Sequence, residues 1–508
     1  MADNVMQGRR HFLRQGAAVL GGTVASATLL TGCDDSSSSA GWEEPKWAAA
    51  ADVVIIGFGG AAATAAVHAA KAGASVLIVE TTKAGGGASA VNGGGQQFGG
   101  GTATQLAAGY SETTDQYFEF LKLTAGEGAD ESILRAFADN AKATYDWLVS
   151  IGAAYEVESL VPGDSEDQAV YDAIYGQGSH PLHQHNVTGG AATLWPLLDG
   201  AARAAGAQLV FETSASRLIV NDAGRVVGVA ARPAGSDAEV FYKANRAVCV
   251  AAGGFINNAE MVARWLPFTK GSFQGGSGHD LGQGIQMAQA VGADVAGMNH
   301  AEEYATSVHF GGGRYLGLAK AIAVTPAGDR LYSEDASAVE VGAWLLHVYP
   351  TLFYVMDDAL FTSLPGSMQG SPAVVSDETL EGLAAKLGIP TGKLTATVTR
   401  YNANIETDGT DPDFHKPGSL LQPIAAGPFH ALVASKAAVF TLSTGGLRIN
   451  ASAQVLKPSG EAIPGLYAVG ASSAHIAATH YPAGAGTAGG MVLAQIAGPK
   501  MAAEPAWK

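Results

Sequence analysis

Short, wholly apolar runs alternate along the chain with alanine-rich stretches, and glycines fall at the joints between them. Ala51-Asp52-Val53-Val54-Ile55-Ile56 reads as a short buried strand, the stretch from Ala63 to Ala72 as a helix, and Ala74 to Val79 as a second strand ending at Glu80. That order predicts an α/β fold. A second block stands near the C-terminus, where Gly465-Leu466-Tyr467-Ala468-Val469-Gly470-Ala471 is followed by Gly484-Ala485-Gly486-Thr487-Ala488-Gly489-Gly490 and an apolar helix. Between about 276 and 427, polar and proline-containing stretches interrupt the pattern. At the other end, Ala17 to Leu30 is apolar, yet too short and too rich in small residues for a membrane span.

Composition narrows the function classes. In 508 residues, 47% hydrophobic and 15% charged, there is ample material for a core, and disorder is excluded for the bulk of the chain. The 67 glycines follow no collagen-like period, so they serve tight turns and close backbone approaches. A net charge of −17 without a basic cluster repels nucleic acid, which is not expected as a partner. The two cysteines, Cys33 and Cys249, cannot supply a four-cysteine zinc site or an iron–sulfur cluster, and no metal is expected. Redox chemistry here needs an organic cofactor.

Residues 1–33 read as an address. Gly8-Arg9-Arg10-His11-Phe12-Leu13-Arg14 before the apolar stretch resembles a twin-arginine signal, and Leu30-Thr31-Gly32-Cys33 resembles a lipoprotein cleavage box. The expectation is a chain exported folded and held on the extracytoplasmic face, or in the periplasm, by lipid on Cys33. Residues 34–50, opening on Asp34-Asp35-Ser36-Ser37-Ser38-Ser39, then form a flexible tether.

The motif between the first strand and helix carries the chemistry. Gly57-Phe58-Gly59-Gly60-Ala61-Ala62 is G-x-G-x-x-A, and an acid, Glu80, follows 23 residues after the first glycine. Gly57 permits the turn, Gly59 lets a pyrophosphate approach the backbone, and Ala62 keeps helix and strand close; Glu80 would accept from ribose hydroxyls. Gly85-Gly86-Gly87-Ala88-Ser89-Ala90-Val91-Asn92-Gly93-Gly94-Gly95 adds many backbone N–H groups unshielded by side chains, which suits an extended diphosphate and a flavin edge.

With Ala251-Ala252-Gly253-Gly254-Phe255, Ala327-Gly328-Asp329-Arg330-Leu331-Tyr332-Ser333-Glu334 and Ser443-Thr444-Gly445-Gly446-Leu447-Arg448 in order, the chain resembles the FAD-binding superfamily of fumarate reductases and 3-ketosteroid dehydrogenases, from about Asp52 to Gly498. It is most similar to the Δ4-(5α) ketosteroid type, through such features as Gly99-Gly100-Gly101-Thr102 and the segment beginning at Tyr481. The resemblance implies a Rossmann-like FAD-binding domain of the GR2 type over 51–275 and 428–508, with an inserted α+β cap or catalytic domain over 276–427. It implies cofactor contacts at Gly57, Gly59, Gly60, Ala61, Ala62, Glu80, Thr81, Gly86, Gly87, Ala88, Ser89, Gly93, Gly94 and Gly95, then Ala215, Ala252, Gly253, Gly470, Gly486, Thr487 and Ala488. The FAD is expected to be non-covalent, since the family's flavin-linking histidine has no match between Gly85 and Gly95.

The cations that bind dicarboxylates in the reductases are missing: Asn299 to His309 lacks the His-Pro-Thr context, and His480-Tyr481-Pro482-Ala483 stands where an arginine is usual. The resemblance therefore implies a small apolar ketone or enone, a steroid among them. Tyr481 would donate to the ketone oxygen, and the backbone N–H of Ala485 would complete the oxyanion site. The family's proton-abstracting tyrosine would fall near Ser337 or Ala338 and is absent; Tyr332, Tyr304 or His309 stand in as candidates. A quinone or cytochrome is the expected electron partner, and an ene-reductase on the same scaffold is the competing activity. Three further readings complete the sequence. His180-Pro181-Leu182-His183-Gln184-His185 is a loop, either solvated or lying over flavin and substrate. Cys249 is a buried strand residue, and Arg330 with Glu334 a structural ion pair.

Overall fold

The first apolar run forms the strand Ala49–Ile56, which lies between Val76–Val79 and Val240–Val250 and runs parallel to both. Beyond Val76–Val79 the sheet adds Gln208–Val210, and beyond Val240–Val250 it adds Ala462–Ala468, again parallel, then antiparallel Gln454–Leu456. An antiparallel ribbon of Thr213–Val220 and Val226–Pro233 joins the same sheet at Val240–Val250. Parallel strands are covered on both faces, so every side chain in them must be apolar. Val53, Val54 and Ile55 are accordingly all at 0% exposure. This is the α/β, Rossmann-like sheet that the sequence predicts.

The computed structural model describes residues 42–126, 128–161, 174–175, 183–306, 309–310, 313–314, 317–336, 338–474, 476, 481–482 and 484–507. The twin-arginine stretch, Cys33, His180, Ser337 and Ala483 lie outside them. Glu44–Lys508 forms one compact unit. Among the described residues no helix is long and apolar enough to cross a membrane. The expected tether, 34–50, is too long by its final residues, because Ala49 and Ala50 already pair with Tyr242 and Lys243 in the sheet.

Two helices of small residues, Gly60–Lys71 and Ala485–Ala503, pack on each other against the sheet. A Cβ on Gly498 would come within 2.7 Å of Ala69 N, and one on Gly490 within 3.0 Å of Gly470 Cα. The alanine and glycine run is thus a packing requirement. It brings both glycine motifs to one end of the sheet.

A second, antiparallel sheet consists of Ile322–Val324, Thr351–Asp357, Phe429–Ser435 and Val374–Asp377. Side chains alternate between its faces. Leu352, Tyr354 and Met356 pack with the helix Ala338–His347, while Phe353 and Val355 pack with Leu380–Leu387 and Lys393–Asp408. The expected limits of the insertion need correcting at both ends. Phe429–Ser435, placed by the sequence with the nucleotide-binding part, pairs along its length with Thr351–Asp357. Conversely, Ile285 and Ala288 of the helix Gln283–Gln289 are buried in the core of the first sheet.

Between the two sheets, Val439–Ser443 pairs with Phe273–Gln274 and Ala301–Ala305. Its register sets Leu442 opposite Glu302 and Ser443 opposite Ala301.

Candidate active site

A cavity of about 480 Å³ opens where the parallel strands end, bounded by the glycine turn on one side and the Val439–Ser443 strand on the other. Gly57 turns the chain with φ +92°, and a Cβ there would meet Ala251 O at 2.5 Å. Gly59 differs: no atom beyond its chain neighbours lies closer than 3.5 Å to its ideal Cβ, and its φ of −104° suits any residue. What a side chain at Gly59 would fill is the cavity.

Glu80 braces this turn. Its Oε2 accepts from Phe58 N–H at 2.7 Å, and its Oε1 accepts from the Thr82 N–H and hydroxyl, both at 2.7 Å. A carboxylate has about four acceptor sites, so capacity remains for sugar hydroxyls. Across the cavity Asp280 does similar work, accepting from Gly254 N–H at 3.2 Å and from Ser277 N–H at 2.7 Å. Exposed backbone, a helix starting at Gly60 and a buried carboxylate fit the diphosphate and ribose of an FAD.

Most of the expected cofactor residues line this cavity: Gly57, Gly59, Gly60 and Ala61 from the turn, with Glu80 and Thr81. Gly87, Ala88 and Ser89 join them, as do Ala215, Ala252 and Gly253, and Gly470, Gly486 and Thr487 near the C-terminus. Ala62, Gly86, Gly93, Gly94, Gly95 and Ala488 are not among its lining residues. Ala62 and Ala488 are at 0% exposure inside helix packing. A Cβ on Gly86 would meet Ala90 Cβ, and one on Gly94 would meet Gly190 Cα, each at 2.7 Å. These glycines are needed for chain crossings. Lys83, Ser214, His279 and Gln283 also line the cavity, with Glu302 and Leu442 on the far wall. No motif announces Glu302, which arrives through strand pairing alone.

Tyr481 is buried, 8% exposed, at the meeting of the glycine motifs and the Glu302 strand. Its oxygen accepts from Gly486 N–H at 2.7 Å, and its hydroxyl is bonded to the Glu302 carboxylate. Burial, and then the Glu302 charge, hold the phenol well above its ordinary pKa. The donor pair foreseen for a ketone oxygen is therefore engaged elsewhere: Tyr481 on Glu302, and Ala485 N–H on Pro482 O at 2.9 Å.

Tyr332 is not at the cavity. It is 5% exposed in the core beside the second sheet, its hydroxyl on that of Tyr354 and its ring stacked on Trp344 at 4.1 Å. Tyr304 is likewise absent from the lining, and His309 lies in a strand whose side chains are not described. The histidine run is not a solvated loop where it is described. His183 and His185 sit at 0% exposure next to and on the strand Gln184–Val187. His183 Nε2 is 2.8 Å from Glu112, and His185 Nε2 is 2.8 Å from the Thr102 hydroxyl. Cys249 is fully buried, its thiol pushed up to about 12 by burial. Arg330 and Glu334 do form an ion pair, at 2.8 Å.

A family described as an FAD binding domain matches residues 52–487. The 3-ketosteroid-Δ4-(5α)-dehydrogenase from Rhodococcus jostii RHA1, solved with 4-androstene-3,17-dione, superposes with a TM-score of 0.82 at 29% identity, over 90% of this chain and 98% of that one. The 3-oxosteroid 1-dehydrogenase of Mycolicibacterium smegmatis is 29% identical over 347 residues, 59% of this chain and 60% of that protein. The fumarate reductase (cytochrome) of Shewanella frigidimarina is 25% identical over 379 residues, 73% of this chain and 62% of that protein. The chain thus spans about three fifths of each curated relative.

Proposed function

The chain belongs to the FAD binding domain family, matched over most of its length, and from that premise we propose an FAD-dependent oxidoreductase that acts on a carbon–carbon bond next to a ketone, in a substrate of steroid type. The observation that carries this reading is the likeness, at 29% identity and near-complete coverage, to a dehydrogenase solved with a ketosteroid. The wall of the cavity formed by Tyr481, Glu302, Leu442, Ser443 and Thr444 agrees with it. That wall carries a negative charge and no arginine or lysine, so a substrate carboxylate would be desolvated there beside a like charge. FAD, when bound, supplies a two-electron acceptor or donor of hydride at N5. The protein's part is to exclude water and to handle the proton, and Tyr481 is the tyrosine among the described lining residues.

The same site would reduce an activated alkene in the opposite direction, and the fumarate reductase relative supports that second reading. An external quinone or cytochrome, which exchanges electrons with the flavin, decides between them. Anaerobic mixing of the oxidised holoenzyme with saturated 3-ketosteroids tests the first: bleaching of the flavin supports it. Bleached flavin that regains its colour only with enones or enoates would establish the second.

The FAD is held without a covalent bond, so acid precipitation should leave all flavin in the supernatant; colour retained on the denatured chain would contradict this. Export by the leader and lipid attachment at Cys33 complete the proposal. Radiolabelled fatty acid should enter the wild-type protein and not Cys33→Ser.

A further inference from the structure

A tyrosine hydroxyl has one proton to donate and room for about two donors on its oxygen. In Tyr481 the proton is directed at the Glu302 carboxylate, and one acceptor position takes Gly486 N–H at 2.7 Å. The position left on the oxygen can receive a hydrogen. It cannot polarise a carbonyl while Glu302 is ionised, and a developing enolate oxygen there would face a carboxylate of its own sign. The arrangement suits the removal of a proton. A phenol that gains one from carbon can release its own to the carboxylate in the same event, while Gly486 N–H steadies the negative charge that passes over the oxygen. Glu302 is half-buried, lines the cavity, and is fixed by a strand paired residue by residue with Val439–Ser443.

We propose that Glu302 takes and returns the proton of the reaction through Tyr481, as a positioning residue that makes this tyrosine the acid–base group of the cavity. The inference rests on the reading of the cavity as a dehydrogenase or reductase site. In dehydrogenation, the carbon next to the ketone gives its proton to Tyr481 Oη as the phenol proton crosses to Glu302. The C–H electron pair becomes the new double bond, and the hydrogen on the neighbouring carbon leaves with its pair to the flavin. The substrate loses two electrons and two hydrogens, the flavin gains a hydride, and Glu302 ends as the neutral acid. Alkene reduction runs the same transfers backwards, with Glu302 starting as the acid.

The test uses FAD-loaded wild type, Glu302→Gln, Glu302→Asp and Tyr481→Phe. In Glu302→Gln, single-turnover flavin reduction by a ketone should fall by roughly 100- to 10,000-fold, the range of general acid–base catalysis. FAD content and ketone affinity should hold, and Glu302→Asp should recover part of the rate. Deuterium exchange at the carbon next to the ketone, followed by proton NMR with the flavin kept reduced, should fall by a similar factor. Infrared difference spectra of one wild-type turnover should show a carboxylic-acid carbonyl band that Glu302→Gln lacks. Rates within a few-fold of wild type, or no acid band, would overturn the relay. If no ketone or alkene reacts with wild type, it is the proposed function that fails. The relay is then judged on resting enzyme: the Tyr481 C–O stretch, located by its loss in Tyr481→Phe, must shift in Glu302→Gln, and an unmoved band refutes the pairing.

Discussion

Lys416 Nζ lies 3.1 Å from Glu334 Oε2, and both side chains are at 0% exposure. Arg330 bridges the same carboxylate and Asp411, with contacts of 2.8–3.0 Å. Two positive and two negative charges are thus closed off from water together, beside the Tyr401 ring. Removing one leaves a net charge where water cannot solvate it, which typically costs about 3–5 kcal/mol. Lys416→Met should lower stability by about that amount in urea unfolding. Glu334→Gln added to it should lose less than the sum of the two single changes, because the leftover charge is then removed.

Gly59 and Gly57 should respond oppositely to substitution. Gly59→Leu meets no backbone strain and only ordinary contacts, so it should fold with a wild-type circular dichroism spectrum. Its side chain occupies the cofactor's space, and the purified protein should carry no flavin absorbance. Gly57→Ala combines φ +92° with a 2.5 Å approach to Ala251 O and should express poorly or unfold at lower temperature. A yellow Gly59→Leu protein would mean that the turn does not cradle the cofactor.

Tyr481→Phe keeps the ring and loses the hydroxyl that bridges Gly486 and Glu302. Flavin reduction by a ketone in single turnover should slow by about 100- to 10,000-fold, with FAD content unchanged. Substrate affinity should hardly move, since an apolar ligand draws most of its binding from buried hydrocarbon. A rate within a few-fold of wild type would remove Tyr481 from the chemistry.

The first strand, the glycine turn and Glu80 were legible in the sequence because their signals are local: an apolar run, a glycine spacing and an acid at a fixed distance. His183 and His185 were not. Hydrophilic in isolation, they are buried by partners supplied from elsewhere, Glu112 and Thr102. Tyr332 was read toward the active site from its place beside Arg330, yet its side chain faces Tyr354 across a sheet that no short window predicts. Glu302 had no signal at all. Its position depends on pairing with Val439–Ser443, far along the chain.

His185 makes stability depend on acidity. Burial holds its imidazole down to about 4 from an ordinary 6.5, with Nδ1 donating to His183 O and Nε2 accepting from Thr102. The unfolded chain takes up a proton near pH 6.5 while the folded one refuses it until about 4, so this stability is intact above 6.5 and fades as pH falls. Between pH 7 and pH 5 the loss should be roughly 2 kcal/mol. His185→Gln, which cannot titrate, should show a smaller drop in urea midpoint over that interval than wild type.

The central sheet is assembled out of chain order: Ala49–Ile56 waits for Val240–Val250, which in turn waits for Ala462–Ala468. Contacts so distant in sequence form slowly, because long loops must close before any of them is rewarded. Gly470, Gly486 and Thr487, which finish the cavity, follow the last of these strands. A nascent chain still in the ribosome's exit tunnel therefore owns a G-x-G-x-x-A turn without a socket. Cofactor capture is placed at the very end of synthesis, and any truncation before Ala485–Ala503 should yield a protein that never turns yellow.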